Sequence, residues 1–344
     1  MTEVAQNAPL TLSEALDPDW LSGALASLTG GATVTRVETV EVIRTVATKV
    51  RFKVQWAVGN ADLCLKAFLD MPEGSSGAAT RLVEADFYDQ LAPRMSVRRP
   101  PCVAAIADRR KGQGIVIMRD LIADGAAFCT ALEPFSVEEA AESLGQLARV
   151  HAAAPLLDSV PWVGRRIADL IAWKVVSVER LQELLDGARG EWLDVRTRDA
   201  ERLTAALHAL RDLDAAQPAT LVHGDCHAGN IYRSKDGPGL IDWQMIQRGG
   251  WALDVAYHIC AVLPAEMAEA HEWELLDRYL DEARRLGVQV PDGAAARAQY
   301  RTAATYGYYL WAITTRVDPT ITGVFVDRLG KAVQRLESFR ALGI

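Results

Sequence analysis

The sequence predicts an α+β protein in two successive parts. Residues 32–68 hold three β-like segments in a row, rich in Val and Thr and alternating with polar residues. From Val137 onward, apolar residues recur at helical spacing over most of the chain. One short β-like insert, around residues 221–241, interrupts those helices. The expected parts are residues 1–121, an antiparallel β-sheet with one key helix, and residues 122–344, mainly helical.

Leu12–Leu28 reads as a helix with Ser13 as N-cap and Gly30-Gly31 as its stop. Ala32–Glu41, Val42–Trp56 and Ala61–Phe68 read as strands, with Gly59-Asn60 at the second turn. Thr80–Leu91 returns to helical spacing through Leu82, Phe87 and Leu91. After Pro100-Pro101, Cys102–Ala107 and Ile115–Met118 read as a hairpin around Lys111-Gly112-Gln113-Gly114. Val137–Ala153 is a helix by its stripe of Ala141, Leu144, Leu147 and Val150, stopped by Pro155. Further helices are expected near 164–186, 195–214, 251–262, 264–286, 293–315 and 321–341. Leu221-Val222, Ile231-Tyr232 and Leu240-Ile241 are the short β pieces of the insert.

The chain has 344 residues, enough for two cores. Its 37 Lys and Arg against 45 Asp and Glu give a net charge of −8, a poor match for nucleic acid or an anionic membrane. The five cysteines are scattered, with no C-x-x-C pair, which argues for a reducing compartment and against a zinc knuckle. The stretch MTEVAQNAPL lacks the charged and apolar regions of a signal peptide. No apolar run reaches the ~18 residues that span a bilayer. A cytoplasmic protein is the expectation.

Residues 221–258 carry the densest polar constellation: His223-Gly224-Asp225, then Asn230, then Ile241-Asp242-Trp243-Gln244, then Asp254. Phosphoryl transfer requires a carboxylate to take the proton of the attacking hydroxyl. It also requires hard oxygen ligands for Mg²⁺ and a cation for the nucleotide phosphates. A loop of the form D-x-x-x-x-N followed by an Asp after a short apolar strand supplies the first two. The alternative is a metal site built from His223, His227, Asp225 and Cys226. Ligands adjacent on so tight a loop chelate one ion poorly.

The string H-G-D-x-x-x-x-N, followed by I-D-W-Q and D-V-A-Y, resembles the aminoglycoside phosphotransferase and choline-kinase-like superfamily. The I-D-W-Q form and the helix bearing Phe87-Tyr88 resemble the ecdysteroid-kinase-like branch most. The resemblance implies a protein-kinase-like bilobal fold, with a nucleotide-binding first lobe and an acceptor pocket in the second. It implies ATP, or alternatively GTP, with Mg²⁺ as cofactors, and a small hydroxylated molecule as acceptor. Asp225 is then the catalytic base and His223 braces its loop. Asn230 and Asp242 hold Mg²⁺, and Asp254 buttresses the segment.

Lys66 lies within the apolar run Leu63–Phe68, where an ammonium is costly unless paired. Glu84 on the next helix is the natural partner, as the kinase-like arrangement requires. A charge facing water from an edge strand is the other reading of Lys66. The resemblance gives Met118, Arg119 and Leu121 the adenine edge. The loop between the first two strands, read over Val42–Lys49, contains no glycine where the family usually has one. Thr45, Thr48 and Lys49 are its candidate phosphate contacts.

The acceptor is not legible. Glu266–Glu282 is acidic and Tyr300–Trp311 is aromatic, and either lines a pocket or forms an ordinary helix face. Tyr306 and Tyr309 are the candidates taken from the aromatic stretch. The rivals are a non-catalytic nucleotide-binding module on the same fold and a metal-dependent hydrolase.

Overall fold

The computed structural model describes residues 7–71 and 78–344. Residues 1–6 of the stretch read for a signal peptide lie outside that range. The chain divides into two compact units. The first comprises 1–95, 99–127 and 241–245, and the second 96–98, 128–240 and 246–344. Among the described residues, no helix is long and apolar enough to cross a membrane.

The first unit is built on a five-stranded antiparallel sheet of order β1-β2-β3-β5-β4. Its strands are β1 (Val34–Arg44), β2 (Thr48–Trp56), β3 (Gly59–Ala67), β4 (Cys102–Asp108) and β5 (Gln113–Arg119). Val50, Phe52, Val54, Leu63, Leu65, Ile115 and Ile117 turn one face inward, where Trp20, Leu21 and Leu25 complete the core. The connection expected over Val42–Lys49 is shorter than predicted. Val42, Ile43 and Arg44 pair with Val50, Lys49 and Thr48, which leaves only Thr45–Ala47 as the turn. β-Branched Val42 and Ile43 suit the pleat, so the strand runs on. Trp56 pairs with Gly59, which puts the second turn at Ala57-Val58 rather than Gly59-Asn60.

The N-terminal helix is three short pieces, Leu12–Ala15, Pro18–Ala24 and Ala26–Thr29. Its first cap is Thr11, in a reciprocal capping box with Glu14, rather than Ser13. Asp17 caps anew before Pro18, which cannot continue the preceding turn. The Thr80–Leu91 helix is also segmented, into Ala78–Arg81, Val83–Asp86 and a wide π turn at Phe87–Leu91.

The second unit is mainly helical. All of Ala252–Val262 is buried. It packs on Val137–His151, Ala265–Arg285, Gly293–Ala312 and Pro319–Arg335. Gly307 permits its closest approach to Gly293–Ala312, since a Cβ there would lie 2.5 Å from Tyr257 Cδ2. The helix expected over 164–186 is broken. Lys174, at φ +45°, ends Arg166–Trp173, and Ser177 caps Val178–Asp186. The helix expected over 321–341 likewise stops at Arg335 and resumes at Ser338, after Glu337 at φ +49°. The insert holds a hairpin of Ile231–Ser234 with Gly237–Leu240. It also holds an unpredicted strand, Gln247–Gly249, paired with Thr220–Val222.

Candidate active site

In the second unit the loop His223–Asn230 leaves the strand Thr220–Val222 through Gly224, whose φ of +82° suits glycine alone among common residues. Asp254 anchors that turn. Its Oδ2 accepts from the His223 backbone N–H at 2.7 Å, and its Oδ1 from the Gly224 N–H at 2.8 Å. His151 Nε2 lies 3.1 Å from the same Oδ2. Burial pushes the Asp254 carboxyl up, but the His151 hydrogen bond and charge and the backbone donors outweigh it and hold it below its ordinary value. The Tyr306 hydroxyl donates to Gly224 O at 2.8 Å and accepts from Gln247 Nε2 at 2.8 Å. His258 Nδ1 lies 2.8 Å from Cys226 O, so Nδ1 carries the proton that this carbonyl accepts.

Three groups converge on the Asp225 carboxylate. Asn230 Nδ2 donates to Oδ2 at 3.0 Å and to the Asp225 carbonyl at 2.8 Å. With two acceptors on its nitrogen, the Asn230 amide turns its carbonyl oxygen away from Asp225. The Tyr257 hydroxyl donates to Oδ1 at 3.1 Å. His227 accepts the Gly229 N–H on Nδ1, so its Nε2 carries the proton that faces Oδ2 at 3.7 Å. His223 Nδ1 accepts the Asp225 N–H at 3.2 Å. The loop thus joins His223, Asp225, Asn230 and Asp254.

The first unit brings Lys66, Glu84 and Asp242 together. Lys66 stands on β3 between Lys49 of β2 and Val116 of β5, so it is not an edge-strand charge. Its Nζ lies 2.5 Å from Glu84 Oε2 and 2.9 Å from Asp242 Oδ1, with all three side chains largely buried. Burial opposes the Lys66 charge, yet Asp242 and Glu84 outweigh it and hold the ammonium above its ordinary value. Burial raises the Glu84 carboxyl, with Lys66 partly offsetting it. With all three ionised, the cluster carries one negative charge in excess. Asp242 adopts φ +64°, an uncommon backbone for a non-glycine residue. Trp243 holds it there by donating its N–H to Glu84 at 3.3 Å and stacking on Phe87 at 4.1 Å.

Other candidates are placed differently. The Thr45 hydroxyl closes its own turn on Ala47 O at 3.1 Å, while Thr48 and Lys49 open β2. The Arg119 and Asp120 N–H groups donate to Pro101 O at 3.0 Å and Asp62 O at 3.1 Å, and Leu121 O accepts from Ala126 at 2.8 Å. Met118 of β5 pairs with Cys64 of β3 and with Cys102 of β4. Tyr306 is fully buried and Tyr309 nearly so. A groove of about 910 Å³ beside β4, lined by Ser27, Tyr88 and residues 99–106 among others, contains none of the candidates.

Each donor taken by itself is of a kind that suits Mg²⁺: Asp242 is a carboxylate beside Lys66 and Glu84 in the first unit, and Asn230 is a side-chain amide on the loop of the second. Among the described residues, no three His, Cys, Asp or Glu side chains gather as a metal site would need. The sequence assigns no role at the Asp225 loop to Tyr257 or to Trp311, which it offers only as part of an aromatic stretch. The first lies in the D-V-A-Y string and the second in the aromatic stretch, so both were visible without a partner.

A family model described as the phosphotransferase enzyme family matches residues 51–284, and the chain belongs to that family. No curated protein matches it in sequence. Among solved structures, it is similar to a putative aminoglycoside phosphotransferase from Ralstonia eutropha, with TM-score 0.56, 13% identity, and 94% of this chain and 98% of that one covered. It is similar to a choline/ethanolamine kinase family protein from Mesorhizobium loti, with TM-score 0.52, 16% identity and coverage of 94% and 97%. It is also similar to the choline kinase LicA of Streptococcus pneumoniae in complex with AMP, with TM-score 0.50, 14% identity and coverage of 89% and 94%. These likenesses establish the α+β, protein-kinase-like fold expected from the sequence.

Proposed function

We propose that the protein transfers the γ-phosphoryl group of ATP, with Mg²⁺, to a hydroxyl of a small organic molecule. The observation that carries this reading is the Asp225 carboxylate, fixed on both oxygens within an H-G-D-x-x-x-x-N loop of a phosphotransferase-family chain. Asp225 orients the acceptor hydroxyl and takes its proton as the O–P bond forms and the bond to ADP breaks. Asn230 and Asp242 would hold Mg²⁺, which when bound neutralises charge on the phosphates. Lys66, kept charged by Glu84 and Asp242, contacts the α- and β-phosphates. Thr48 and Lys49 remain the candidates of the short first turn. Met118, Arg119 and Leu121 are retained for the adenine edge, Arg119 through its carbonyl because its N–H donates to Pro101 O and Leu121 through its N–H because its carbonyl accepts from Ala126.

Tyr306 is reassigned from acceptor pocket to loop support, because a ligand would have to break its bonds to Gly224 and Gln247. The solved neighbours are named for choline, ethanolamine and aminoglycosides, so hydroxylated amines are the first acceptors to try. The I-D-W-Q string supports a place near the ecdysteroid-kinase-like branch. The glycine-free turn at Thr45–Ala47 favours one second reading, a nucleotide-binding protein without turnover. Turnover and nucleotide binding, measured together, separate the two. Asp225→Ala should abolish turnover and retain binding, whereas Asp242→Ala should remove the Mg²⁺-dependent part of binding. Full activity in the Asp225 variant would sink the assignment.

A further inference from the structure

We infer that Tyr257, held by Trp311, is a positioning residue that sets the orientation of the Asp225 carboxylate for phosphoryl transfer. The inference rests on the reading of Asp225 as the base. Trp311 Nε1 donates to the Tyr257 hydroxyl at 2.6 Å, and that hydroxyl lies 3.1 Å from Asp225 Oδ1. An indole N–H is a donor only, so it occupies a lone pair of the phenol oxygen. The single phenol hydrogen is thereby directed to Asp225. Asn230 Nδ2 holds the other oxygen, and the two donors together fix rotation of the carboxylate about its Cβ–Cγ bond. A base whose lone pair must meet a hydroxyl within about 3 Å gains from such a lock.

The relay is supported from three helices. Tyr257 lies on Ala252–Val262, Trp311 on Gly293–Ala312 and Phe325 on Pro319–Arg335. The Trp311 indole stacks on Phe325 with centroids 4.1 Å apart, and Phe325 meets the His227 ring at 5.1 Å. Tyr257 and Trp311 are both buried, so the hydrogen bond from indole to phenol is shielded from water. Gly307 leaves the space that the Tyr257 ring fills.

The test is steady-state kinetics of phosphoryl transfer for wild type, Tyr257→Phe, Trp311→Phe and the double variant, with thermal melts as a check on folding. Tyr257→Phe keeps the ring and removes the hydroxyl. It should lower kcat about 10- to 100-fold, the loss expected for one hydrogen bond to a charged group, and leave the nucleotide KM unchanged. Trp311→Phe keeps an aromatic ring on Phe325 and removes the indole donor. It should lower kcat about 3- to 10-fold, and should have no further effect in the Tyr257→Phe background. A Tyr257→Phe enzyme with wild-type kcat overturns the inference, as do single losses that multiply in the double variant. A Trp311→Phe enzyme that loses only acceptor KM, with or without the phenol, also overturns it. Wild-type protein that transfers phosphate to no acceptor overturns the proposed function and this inference together, so the two failures are distinguishable.

Discussion

Acidification from pH 7 to pH 5 should weaken the fold by about 2 kcal/mol through His258 alone. Its ring is fully buried, and burial pushes its pKa down to about 4. The unfolded residue titrates near ~6.5. Because the folded pKa is the depressed one, the unfolded chain binds the proton first. The stability contribution is complete above the unfolded pKa and is lost as pH falls towards 4. The gap corresponds to about 3 kcal/mol in all, of which about 2 kcal/mol is lost by pH 5. His258→Asn keeps a donor near the Nδ1 position, which faces Cys226 O at 2.8 Å, and removes the titration. Urea unfolding of both proteins at pH 7, 6 and 5 isolates the effect, since every other histidine is common to the pair. The wild type should lose about 2 kcal/mol more than the variant over this range. Parallel pH dependences would refute the burial of a neutral imidazole at this position.

Asp254→Ala orphans the buried His223 and Gly224 N–H groups and should cost on the order of 3–5 kcal/mol. At about 2–4 °C per kcal/mol, the melting temperature falls by at least about 6 °C, and a drop under about 2 °C contradicts the anchoring role. Glu84→Gln leaves Lys66 with Asp242 alone and should raise the nucleotide Kd at least about tenfold with the fold intact. Calorimetric titration reads it, and an unchanged Kd removes Glu84 from the nucleotide site. Gly307→Ala drives a methyl into the Tyr257 ring and should destabilise by about 1–3 kcal/mol while lowering kcat. Wild-type melting and turnover in that variant would show that the two helices can separate without consequence.

How much was legible follows from how local each feature is. The loop His223–Asn230 and the Asp242 that follows lie within one short string, and their residue types together with the family resemblance they carry point to the chemistry. Lys66 and Glu84 were pairable because an ammonium in an apolar strand demands a partner. Tyr257 and Trp311 belong to different helices and meet only through packing, which Gly307 makes room for. The Thr11–Glu14 capping box was visible as a T-x-x-E pattern, and Ser13 competed with it. The strand Gln247–Gly249 is three residues long and exists only by pairing with Thr220–Val222, so no periodicity could announce it. The turn is confined to Thr45–Ala47 because Val42 and Ile43 extend a strand whose end the sequence does not mark.

The most direct test of the central claim is ³¹P NMR of wild-type protein with ATP, Mg²⁺ and a panel of hydroxylated amines, with Asp225→Asn in parallel. A phosphomonoester signal that grows in step with ADP in the wild type, and is absent from a variant that still binds nucleotide, is the predicted result. Equal phosphomonoester formation by both proteins would contradict it.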